Sequence, residues 1–84
     1  MVAHRAQALS LYRRLLRASD LMPTKNRRGF VRKKTMVEFR ENINEMDHEK
    51  VKFLLSLGET NLDDVISQAG HLGDISKREG YHKV

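Results

Sequence analysis

Four histidines, His4, His48, His71 and His82, are the first side chains to weigh for chemistry. A zinc helix of the H-E-x-x-H type needs two imidazoles one turn apart, and His48-Glu49 has no second histidine four residues on. Each histidine therefore reads as a solvated surface group, and no metal site is expected. Asp63 and Asp64 are adjacent, so a helix turns them to different faces and they cannot share a proton as an acid/base pair. Ser10, Ser19, Ser56, Ser67 and Ser76 stand in no strand–turn–helix context that would expose a nucleophile. The chain has no cysteine, which removes a disulfide framework, a thiolate zinc site and a thiol nucleophile together. It carries neither a phosphate-binding loop nor a dinucleotide fingerprint. An enzyme is not expected.

Charge carries more information. Residues 1–40 hold eleven basic side chains against Asp20 and Glu38, a net of +9, whereas residues 41–84 hold five basic and nine acidic ones, a net of −4; together they give the overall +5. Such asymmetry predicts an acidic partner for the first half, either phosphate or an acidic protein surface. Arg27, Arg28, Arg32, Lys33 and Lys34 form a basic block that would suit nucleic-acid phosphates, yet Phe30 is the only ring within it and is better placed as a core residue.

The elements that must position these groups are short. A chain of 84 residues has room for about three ordinary helices and is marginally stable by itself. No apolar run approaches the roughly 18 residues that cross a bilayer. Helical spacing accounts for the whole pattern, and sustained strand alternation is absent. A first helix is predicted over Ala3–Ser19, with Ala8, Leu11, Tyr12, Leu15 and Ala18 as its apolar stripe, widened by Leu9 and Leu16. Pro23 ends it, and Thr24 is placed to cap a second helix over 25–42. In that helix Phe30 and Val37, with the stems of Lys33 and Lys34, share one face, and Met36, Phe39 and Ile43 an adjoining one. Asp47 caps a third helix, whose stripe is Val51, Leu54, Leu55, Leu62, Val65, Ile66 and Ala69. Gly58 falls in that stripe, marking either a close approach or a helix break, and Gly70 and Gly73 are expected to stop the helix. The expected fold is all-α: a small antiparallel three-helix bundle over 1–70 with a polar C-terminal tail over 71–84.

No apolar secretory core follows the start. The first 19 residues hold four arginines and no acid, the pattern of a mitochondrial import segment. Because the same residues serve the first helix, any such information is expected to be retained.

Leu11-Tyr12-Arg13 sits in that helix within Arg5-Ala6-Gln7-Ala8-Leu9-Ser10-Leu11-Tyr12-Arg13-Arg14-Leu15-Leu16-Arg17, and Phe39-Arg40-Glu41-Asn42 closes the basic second helix. With the Asp47-started third helix, the arrangement over roughly residues 4–69 resembles the LYR-motif family of small mitochondrial three-helix proteins. The first helix and the Phe-Arg-Glu-Asn segment are similar to the family's cysteine desulfurase partner. The Leu57-Gly58-Glu59-Thr60-Asn61-Leu62 stretch is similar to its accessory subunit of respiratory complex I. The linker Asp20–Thr24 lacks the aromatic cluster the family often carries there, and the segment from Gly70 onward has no counterpart. The resemblance implies a non-enzymatic adaptor, in the matrix or on the matrix side of the inner membrane. Such an adaptor binds the mitochondrial acyl carrier protein, takes its acyl-4′-phosphopantetheine chain into the bundle and docks on a larger complex. It implies Tyr12, Phe39 and Gly58 as lining for the chain, with no cofactor of the protein's own. It implies Arg5, Leu11, Tyr12, Arg13, Lys33, Lys34 and Arg40 as partner contacts. The alternative is a small RNA-contacting protein of a mitochondrial ribosome-like particle, using the basic block.

Overall fold

The computed structural model describes residues 4–78 and shows three helices, α1 over Arg5–Ser19, α2 over Lys25–Asn42 and α3 over His48–Arg78, with no strand among the described residues. The all-α fold is thus as expected. His4 is the N-cap of α1; Ala3, Tyr81 and His82 lie outside the described residues. Thr24 caps α2, its hydroxyl accepting from the Arg27 N–H at 3.2 Å. The Asp47 carboxylate accepts from the N–H groups of Glu49 and Lys50 at 3.0 and 3.3 Å and starts α3. Between α1 and α2 the chain turns through residues 20–24, where the Arg28 guanidinium donates to the Met22 carbonyl at 3.0 Å.

The contacts fix the directions. Tyr12 meets Phe39 and Asp20 meets Arg32, so α2 runs down against α1. His4 meets His48 and Arg14 meets Glu59, so α3 runs back up beside it. Helix α1 packs on both neighbours, whereas α2 and α3 touch each other only marginally. The buried apolar residues Ala8, Leu11, Ala18, Val51, Leu62 and Ala69 all lie on α1 and α3, with Met22 plugging the first turn. Only Thr35 is buried on α2, and its hydroxyl donates back to the Val31 carbonyl at 2.8 Å.

Three expectations are corrected. Phe30 is 69% exposed and Val37 is exposed, because α2 turns its Arg28, Val31, Thr35, Phe39 and Asn42 side inward at steps of three and four. The Phe30–Val37 face points away from α1, and Ile43 is also exposed. Ile66 likewise lies at the edge of the α3 stripe and is 48% exposed. Finally, Gly70 and Gly73 do not stop α3, nor does Gly58 break it. Glycine permits a left-handed stop without forcing one, and Leu62, Val65, Ala69 and Leu72 carry the inward stripe straight across Gly70.

Candidate functional site

Because α2 and α3 lean on α1 without closing on each other, an open groove of about 230 Å³ remains between them. Leu11, Tyr12 and Leu15 of α1 contribute its apolar floor. Phe39 of α2 and Val51, Leu54, Leu55 and Leu57 of α3 form its walls, and the exposed Glu38 and Glu41 with Asn42 and Asn61 give it polar edges.

Three consecutive residues at the centre of α1 divide the work, since each helical step rotates the side chain by about 100°. Leu11 is buried toward α3, where it lies against Gly58; a Cβ on that glycine would run into Leu11 Cδ2. Gly58 therefore marks a close approach of α3 to α1. Tyr12 turns to α2 and stacks on Phe39, with ring centroids 4.4 Å apart and planes at 28°. Arg13 points to solvent. The structure thus brings Leu11, Tyr12, Phe39 and Gly58 together on one groove. Gly58 makes room for Leu11 rather than leaving an empty notch.

The expected cationic contacts lie elsewhere. Arg5, Arg13, Lys33, Lys34 and Arg40 are all exposed, none lines the groove, and among the described residues none of them forms an ion pair. Other groups hold the frame. Arg14 grips Glu59 with two hydrogen bonds of 3.1 and 2.7 Å, which hold the Glu59 carboxyl below its usual range and push the guanidinium further up. The Glu45 carboxyl is lowered chiefly by the Asp47 N–H and next by Lys50. His4 and His48 meet each other, although each was expected to be a solitary surface imidazole. No sequence signal joins residues 44 or 45 apart, so the Arg14–Glu59 and His4–His48 pairs were invisible there. Leu57 and Asn61 were missed because they flank the α3 stripe.

Fold and groove together define a basic three-helix protein with an apolar groove beside a Leu-Tyr-Arg step. The family model described as Complex 1 protein (LYR family) matches residues 6–64, and the chain belongs to that family. It is 38% identical over 68 residues to LYR motif-containing protein 4B of Salmo salar, covering 81% of each chain. It is 42% identical over 66 residues to LYR motif-containing protein 4 of Taeniopygia guttata, covering 79% of this chain and 73% of the relative. A homolog of the same protein in Drosophila melanogaster is 35% identical over 75 residues, covering 87% and 82%.

Proposed function

We propose that this chain is a non-enzymatic mitochondrial adaptor. It binds acylated acyl carrier protein, takes the acyl-4′-phosphopantetheine chain into the groove between α2 and α3, and docks the pair on a larger complex. That complex is respiratory complex I, the iron–sulfur assembly machinery or the mitochondrial ribosome. The observation that carries this reading is the groove itself, apolar along its floor and open because one pair of helices does not close. At about 230 Å³ it is smaller than the roughly 300 Å³ at which ligand pockets begin. Helix α2, whose only buried residue is Thr35, would have to move outward to admit a longer chain. Burying about six CH₂ groups would stabilise the bundle by about 5 kcal/mol, comparable with the whole stability of a small domain. The unpaired cations on α1 and α2 would steer an acidic carrier, each exposed pair contributing on the order of 0–1 kcal/mol.

Native mass spectrometry of the protein purified from mitochondria tests this. A partner of carrier size bearing phosphopantetheine and an acyl chain is the expected result, and the remaining masses name the client. Recovery with RNA or ribosomal proteins alone, and no acylated partner, would put the basic block of α2 in place of the groove.

A further inference from the structure

One pair of side chains plays no part in that reading. His4, the N-cap of α1, and His48, the first residue of α3, meet across the bundle end with Nε2 and Nδ1 3.2 Å apart and their rings edge to face at 5.0 Å. We propose that His4 and His48 form an open two-nitrogen site for a borderline divalent cation, with Zn²⁺ as its representative. The spacing is the first argument. Two nitrogens each 2.0–2.1 Å from a tetrahedral zinc stand about 3.3 Å apart, so the separation suits the metal once both rings turn to aim their lone pairs off the N···N line. The second argument is tautomeric. His4 Nδ1 lies 2.9 Å from the Gln7 side-chain carbonyl oxygen and donates to it, which leaves the Nε2 lone pair directed at His48. An outer acceptor that fixes a ring in this way is the usual support of a metal-bound histidine. His48 then donates from Nδ1 in the metal-free state. On metal binding that proton moves to its Nε2, and both nitrogens facing the gap become ligands.

Nitrogen donors select zinc, nickel or copper over calcium and magnesium. Among the described residues no third histidine, cysteine or carboxylate completes a closed cluster, so water fills the other positions. The helix N-termini oppose a cation, and Glu49 in the first turn of α3 works against that opposition. The site would clip the start of α1 to the start of α3.

The test is zinc titration of the full chain, with any partner that purifies with it. It is followed by histidine-ring NMR and by thermal melting with and without chelator. The expected result is that ZnCl₂ shifts the His4 and His48 ring nitrogens and raises the Tm. His4→Ala and His48→Ala would each abolish both effects, and His71→Ala and His82→Ala would retain them. Gln7→Leu, which removes the supporting acceptor, should weaken zinc binding roughly 10–100-fold. Unshifted His4 and His48 resonances at a hundredfold excess of zinc would overturn the proposal. So would full zinc stabilisation of the His48→Ala variant, since one imidazole alone would then account for it.

Discussion

Leu11 and Gly58 show how much one missing methyl group does in a small core. Alanine at 58 would gain about 1 kcal/mol of helix propensity but would crowd Leu11 Cδ2, and overpacking of that kind costs about 1–3 kcal/mol. Gly58→Ala is therefore expected to lower stability by about 0–2 kcal/mol in a thermal or denaturant melt. The displaced Leu11 must swing into the groove it lines, so occupancy of the groove should fall further than stability does. A double-mutant cycle with Leu11→Ala should recover part of the loss, because the crowded atom is then gone. Glu59, next in sequence, makes a pH prediction. Its folded carboxyl titrates below the unfolded value of about 4.3, so its contribution is complete above that value and disappears as pH falls through the lowered folded one. The Tm difference between wild type and Glu59→Gln should be constant from about pH 8 to 5 and should shrink below about pH 4. At this scale Leu11 and Gly58 were legible, because an apolar stripe and a glycine within it follow from spacing alone. Arg14 and Glu59 were not, since a surface arginine names no partner 45 residues away.

Helices α2 and α3 owe their starts to capping, and those two N-caps were plainly legible in the sequence. Thr24 and Asp47 each stand where a side-chain oxygen meets orphan N–H groups, and each does so in the structure. Thr24→Ala and Asp47→Ala should each cost about 1 kcal/mol in chemical denaturation. The Asp47 change is expected to be the larger, because two N–H groups lose their acceptor there. Where the elements departed from their pattern, a tertiary neighbour decided. Helix α2 has apolar residues on several faces, so periodicity could not choose among them; the ring of Tyr12 on α1 chose the side bearing Phe39 and left Phe30 outside. The glycines at 70 and 73 read as stop signals locally, but the stripe continuing through Leu72 outweighs a propensity cost of about 1 kcal/mol apiece.

Across the whole molecule the strength is uneven. The core cluster of Leu11, Ala18 and Leu62, with Leu15, Leu55 and Val65 against it, joins α1 to α3, while α2 is tied on by Thr35, the Tyr12–Phe39 stack and the Arg28 and Arg32 contacts to the first turn. The groove lies on the weak side, and so do the charges of α2. Arg13→Glu combined with Lys33→Glu should leave the melt of the isolated chain within about 0.5 kcal/mol of wild type, as expected for exposed positions, and, if the chain binds acyl carrier protein as proposed, should weaken its capture in a pull-down at low salt. Undiminished capture would remove Arg13 and Lys33 from the contact surface. The same unevenness predicts how the chain opens. A segment with few buried apolar contacts unfolds locally at lower free energy than the core, so amide hydrogens of α2 should exchange faster than those in the paired stretches of α1 and α3. If an acyl chain fills the groove, adding acylated carrier should slow exchange in α2 far more than in α1 or α3, whereas carrier without its acyl chain should protect only through its surface contacts. Equal protection by both forms would mean that α2 is held from outside and that the groove stays empty.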